Sequence, residues 1–107
     1  MVPDELAHTM EQLGSEWADK EGAAQLLEET RKSIRAKLML KYLVGAKTVA
    51  KSEAMAEADV EYIRHIGNMV EARKQATKAR VKYDAYRVQI ELLRSQEATM
   101  RAQIGIR

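Results

Sequence analysis

Five arginines return at intervals of seven residues in the second half of the chain: Arg73, Arg80, Arg87, Arg94 and Arg101. Such a row suits two chemistries. It can neutralise phosphates on a nucleic acid, or it can pair with carboxylates on a neighbouring helix. Lys74, Lys78 and Lys82 lie among the arginines and add to the nucleic-acid reading. On a helix, successive arginines would stand about 10.5 Å apart. That distance does not match the phosphate spacing of a single strand, although it would straddle several phosphates. Single-strand binders also stack bases on aromatic side chains. Here Tyr83 and Tyr86 fall on an apolar seam, which leaves them inside a helix pair instead.

Other groupings carry less chemistry. Glu5 and His8 have the E-x-x-H form of di-iron helical bundles, but such sites need a second copy and two further glutamates. Glu61 and His65 are four residues apart, the wrong spacing. The chain has no cysteine, which removes disulfides, zinc–thiolate sites and thiol nucleophiles. It has no Gly-rich phosphate loop, no G-x-S-x-G and no H-E-x-x-H. Ser15, Ser33, Ser52 and Ser95 have no evident base partner. The expectation is a protein that is not an enzyme, with no metal and no cofactor.

The elements that must carry the arginines are helices. One proline, no phenylalanine and many Ala, Glu, Lys, Leu, Arg and Met residues favour helix. Alternating Val/Ile/Thr runs and Asn-Gly turns, the marks of strands, are missing. From Ala58 the positions Tyr62, His65, Met69, Ala72, Ala76, Ala79, Tyr83, Tyr86, Ile90, Leu93, Glu97, Met100 and Ile104 follow in steps of four and three. Only His65 and Glu97 are out of character. A heptad seam of that length predicts a coiled-coil helix. Asp59 is its candidate N-cap and Gly105 its candidate stop, so the long helix is expected over 59–104.

The first half is less regular. Leu6, Met10, Leu13 and Trp17 keep the seam, Lys20 interrupts it, and Leu27, Ile34 and Leu38 resume it. Gly14 and Gly22 weaken the helix. The reading is a helix over 4–44, either bent or broken near 19–22, closed by Gly45. Residues 45–58 form the connector, with Ser52 capping one short turn through Ala56. Trp17 is expected in the core, near Ala79 and Tyr83.

Charge supports a chain that doubles back. Residues 1–30 hold eight acids and one base, and residues 31–51 hold seven bases and no acid. Residues 52–72 hold five acids and one base, and residues 73–107 hold nine bases and three acids. The blocks therefore read −7, +7, −4 and +6, and a reversal near residue 50 sets opposite signs side by side. The predicted fold class is all-α: one domain over 1–107, an antiparallel helical hairpin or coiled coil with one long C-terminal helix. In that register Glu28 meets Arg73, Glu21 meets Arg80, and Tyr42 meets Asp59. Arg87, Arg94 and Arg101 then have no acid opposite and become the candidate contacts for another molecule, together with Lys74, Lys78 and Lys82.

A second apolar stripe lies off the seam, made of Ile63, Val70, Thr77, Val81, Val88 and Leu92. It predicts self-association, most simply a two-fold dimer. The alternative is a broken first half folding over it as a third helix. The opening "MVPDELAHTM" has neither a basic start nor an apolar run, so no signal peptide is read. The longest apolar stretch, "LMLKYLVGA", is short and carries Lys41, so no membrane span is expected. The wider segment "IRAKLMLKYLVGAK" has a basic amphipathic look, but its place beside the turn predicts burial.

The segments "KSEA", "ADVEY", "MVEAR", "KARVKYDAYR" and "SQEATMRA", all in the second half, resemble small proteins of bacterial phages and prophages. Similar proteins often carry proline where Val60 stands, which suits a helix start after Asp59. The resemblance implies a phage or prophage origin and a cytoplasmic site in a bacterial host. It also implies a role on host machinery or in DNA metabolism. The favoured expectation is a protein–protein interaction module, an accessory factor or an inhibitor of a host protein. The alternative is an accessory protein that binds nucleic acid through the basic stripe.

Overall fold

A computed structural model describes residues 3–105. Among the described residues every element is helical: α1 (Pro3–Leu43), α2 (Val49–Ala58) and α3 (Val60–Gly105). The molecule is elongated, 86 Å long and 21 by 15 Å across. It exposes 8158 Å² to solvent. A compact protein of 12.1 kDa would expose about 6,000 Å², so roughly a quarter of the surface here is surplus.

α1 starts on Pro3, whose fixed φ suits the first helical position, and carries Asp4 and Glu5 in its first turn, where carboxylates favour the helix dipole. It continues without interruption through Gly14, Gly22 and the suspected break at 19–22. Each glycine costs about 1 kcal/mol relative to alanine. Packing against α3 offsets that cost, since Leu13, Trp17 and Leu27 are half-buried and Ala24 is fully buried. After Leu43 the amides of Gly45 and Ala46 both donate to the Tyr42 carbonyl. No glycine has positive φ. Gly45 therefore ends the helix without the left-handed turn that usually gives glycine its advantage there.

The expected connector over 45–58 is shorter than predicted, because ten of its residues form α2. Thr48, not Ser52, is the N-cap: its backbone is extended and its hydroxyl accepts from the Lys51 amide at 3.2 Å. Ser52 instead lies in the helix, fully buried, and donates to the Val49 carbonyl. Asp59 alone joins α2 to α3. Its amide donates to Ala56, closing α2, and its carboxylate accepts from the Glu61 amide at 2.8 Å, opening α3.

α1 and α3 lie side by side in opposite directions. The facing pairs Tyr42–Asp59, Glu28–Arg73 and Trp17–Tyr83 all centre on residues 50 to 51. The apolar core sits at the turn end, where Leu38, Ala56 and Tyr62 from the three helices meet, flanked by Ile34, Met39, Tyr42 and Ile66. Further along, Ala24, Ala76 and Ala79 are buried, and small side chains there let the two backbones approach. Past Ile90 every residue of α3 is exposed.

Candidate interaction surfaces

Among the described residues five ion pairs cross between helices and a sixth ties α1 to Asp59 at the joint, and each joins blocks of opposite sign. Arg35 pairs with Glu57 at 3.0 Å and Glu53 at 3.8 Å, Lys37 with Glu61 at 3.6 Å, and Lys41 with Asp59 at 3.7 Å. Arg73 pairs with Glu21 at 2.5 Å and with Glu28. Surface pairs of this kind add little to stability and mainly choose register.

Arg73 departs from the expected one-to-one matching. Its Nε and Nη2 donate to Glu28, and its Nη1 donates to Glu21. One guanidinium thus clamps two glutamates seven residues apart on α1, and these hydrogen bonds hold it more firmly protonated than usual. Arg80, expected opposite Glu21, makes no ion pair among the described residues; Glu21 pairs with Arg73 instead.

The three arginines expected to lack an acid on α1 separate into different cases. Arg87 is held loosely on its own helix by Asp84 at 4.0 Å and Glu91 at 3.9 Å. Arg94 and Arg101 have no acid within ion-pairing distance among the described residues. Arg101 makes a long hydrogen bond, 3.4 Å, to the Glu97 carbonyl of its own helix. The lysines do not join this face. At about 100° of rotation per residue, Lys74, Lys78 and Lys82 lie about 140–180° around the helix from Arg87. The continuous basic stripe predicted from sequence is therefore split between opposite sides of α3. Lys74 and Lys78 instead lie close to Glu71 and, after its hydrogen bond from Gln75, hold its carboxyl below the usual range.

The second apolar stripe is exposed along its length. Ile63, Val70, Val81, Val88 and Leu92 keep between 46% and 60% of their surface in water. Together with Thr77 their rotations fall within about 60° of one another on a straight helix. Among the described residues no third helix covers them, because α1 continues unbroken along the seam on the other side of α3.

Polar residues on the seam are satisfied. His65, out of character in the pattern, is buried and its Nε2 donates to the Leu27 carbonyl of α1 at 2.7 Å. A carbonyl only accepts, so the proton is on Nε2. Trp17 is half-buried with its ring 5.4 Å from that of Tyr83, a tilted aromatic pair. A Cβ added at Gly14 would lie 3.5 Å from that tyrosine's ring, an ordinary contact, so the aromatic pair does not require glycine there. At the joint, the Tyr42 hydroxyl donates to the Asp59 carboxylate. That bond, the Glu61 amide and Lys41 hold the Asp59 carboxyl below the usual range, and the same bond raises Tyr42.

The open end of the helix pair adds two recesses. Pro3, Leu6 and Met10 of α1 meet Ile90, Leu93, Arg94 and Glu97 of α3 in a groove of about 370 Å³. Beyond it Glu97, Met100, Arg101 and Ile104 line a second recess of about 380 Å³ on α3 alone. The signal was present in the seam itself, which runs past the point that a first helix starting near residue 4 can reach.

Among the described residues, no group of three or more His, Cys, Asp or Glu side chains is placed to hold a metal ion. No described helix is long and apolar enough to cross a membrane. Comparison with protein-family models, with curated proteins and with solved structures gave no significant match.

Proposed function

We propose that this chain is a non-enzymatic protein-interaction module: an antiparallel coiled-coil hairpin, a single domain, that forms a two-fold dimer and acts by binding another protein. The observation that carries this reading is the exposed stripe of Ile63, Val70, Val81, Val88 and Leu92. Single exposed apolar residues are ordinary on protein surfaces, whereas a continuous line of them marks an interface. The line from Ile63 to Leu92 extends about 44 Å. One helix width, about 10 Å, gives roughly 900 Å² for two copies, just below the range of specific, stable interfaces. The dimer is therefore a weak, reversible one. The resemblance of the second half to phage and prophage proteins supports an accessory factor, or an inhibitor of a host protein, in the bacterial cytoplasm.

Nucleic-acid binding is the competing reading, and the placement of Lys74, Lys78 and Lys82 away from the arginine face weakens it. Sedimentation velocity over a wide concentration range tests the dimer. The wild-type chain should shift from monomer to dimer, and Val81→Glu with Val88→Glu should stay monomeric with unchanged helicity. A wild-type monomer at every concentration would end the self-association reading. A gel shift at low salt, lost in Arg87→Glu with Arg94→Glu, would favour nucleic acid instead.

A further inference from the structure

The segment "IRAKLMLKYLVGAK", expected to be buried beside the turn, is buried on one side only. Leu38 packs into the core with Tyr62, while Leu40, Leu43 and Val44 keep 69%, 44% and 96% of their surface in water. Val49, the first residue of α2, adds a fourth exposed aliphatic at 60%. Leu40, Leu43 and Val49 line one recess of about 360 Å³, so the patch is continuous from α1 to α2. Leu40 and Leu43 lie about 140–160° around α1 from Leu38. The patch therefore faces away from α3, and a partner on the α3 stripe would leave it open.

The same end of the molecule has a surplus of positive charge. Residues 31–51 hold seven bases and no acid. The four acids of residues 52–61, Glu53, Glu57, Asp59 and Glu61, are all held in ion pairs by Arg35, Lys37 and Lys41. Lys47 before α2 and Lys51 in its first turn are exposed and have no acid within ion-pairing distance among the described residues.

We propose that the turn end of the hairpin is a docking site for an anionic membrane surface. Leu40, Leu43, Val44 and Val49 enter the interface, and Lys47 and Lys51 meet the headgroup phosphates. The inference goes beyond the protein-interaction reading and stands without the dimer. A projecting aliphatic side chain needs either a matching hollow or a surface that it can enter. A bilayer interface accepts such side chains without a preformed shape, and its phosphates supply the charge that the two lysines lack. Lysine suits the task, because its alkyl stem lies along apolar surface while its ammonium reaches outward. Four aliphatic side chains make a small anchor, so attachment is reversible.

Other occupants fit less well. A second copy docked turn to turn would set lysines against lysines. Nucleic acid would meet four aliphatic side chains and no aromatic platform. An acidic protein would have to offer hollows for Leu40 and Val44 as well as carboxylates for the lysines.

Co-sedimentation of the full chain with vesicles tests the proposal. One set is phosphatidylcholine alone, and the other is phosphatidylcholine with phosphatidylglycerol in equal parts. The chain should pellet with the second set and not with the first, and high salt should release it. Leu40→Asp with Val44→Asp should abolish binding, and Lys47→Glu with Lys51→Glu should weaken it by about tenfold or more. These side chains are exposed, so the variants should keep wild-type helicity by circular dichroism. Val81→Glu with Val88→Glu should still bind, whatever its oligomeric state. The proposal is overturned if the anionic vesicles leave the chain in solution, or if both sets bind it alike. It is also overturned if only the Val81→Glu, Val88→Glu pair abolishes binding, which assigns the lipid contact to the α3 stripe. A soluble glutamate-rich amphipathic peptide that binds through Leu40 and Val44 while the vesicles do not would overturn it in favour of a protein partner.

Discussion

At the turn end, α3 is covered from two sides. α1 brings Leu38 and Tyr42, α2 brings Ala56, and Tyr62 closes the cluster between them. At the far end the same helix carries Met100 and Ile104 at equivalent heptad positions with water over them. The local pattern is identical, and the outcome differs because three helices meet at one end, two in the middle and one at the other. A heptad seam states which face would be buried. Whether it is buried depends on how far the partner helix extends.

The comparison is broken most directly by cutting away one core side chain. Leu38→Ala should cost about 2–5 kcal/mol in urea unfolding, the usual price of a large-to-small change in a packed core. Met100→Ala, a comparable change on the open side, should stay within about 0.5 kcal/mol. Equal losses would mean that the two ends are not different after all.

Asp59 sharpens the comparison through pH. Its carboxyl is held below the usual carboxylate range by the Tyr42 hydroxyl, the Glu61 amide and Lys41. A depressed folded value contributes stability that is fully present above the ordinary carboxylate value. That contribution disappears as pH falls through the folded value. Melting temperatures followed into acid should drop more steeply for the wild-type chain than for Asp59→Asn. Tyr42 has the opposite sign, because its folded value is raised by the same hydrogen bond. Its share is present below the ordinary tyrosine value and is lost as alkali takes the pH through the folded one.

Smaller effects are expected elsewhere. At Gly22 and Gly67 an added Cβ would meet nothing within 4 Å. Gly22→Ala and Gly67→Ala should each raise stability by up to about 1 kcal/mol in thermal unfolding, through helix propensity alone. Nothing in the structure explains why position 67 is glycine. Smallest of all, deletion of residues 98–107 should leave the unfolding midpoint where it is. Hydrogen exchange should agree, with strong protection at Tyr62 and Ala76 and almost none past Leu93.

Much of this was legible in the sequence. The seam from Tyr62 onward, the alternating charge blocks and the polar match of Tyr42 with Asp59 all pointed to one register, because long-range pairing and local periodicity agreed. Of α2 only one short turn through Ala56 was expected, because "VAKSEAMAEA" has no seam to read; the full helix rests on alanine-rich propensity and on Thr48, an N-cap overlooked in favour of Ser52. Ala24 was passed over because a small side chain gives a weak hydrophobic signal, although close approach of two helices favours it. Arg80 was misassigned because counting heptads pairs one residue with one, whereas a guanidinium fork can reach two carboxylates. Lys74, Lys78 and Lys82 were grouped with the arginines by closeness in sequence, which on a helix does not mean a shared face.

The surplus surface of this slender molecule has a thermodynamic consequence. Chain already in contact with solvent has little more to offer it on melting, so the heat-capacity increment should be small for a protein of this mass. Denaturant titrations should be correspondingly shallow, spread over a wider range of urea than a globular domain of equal length would need.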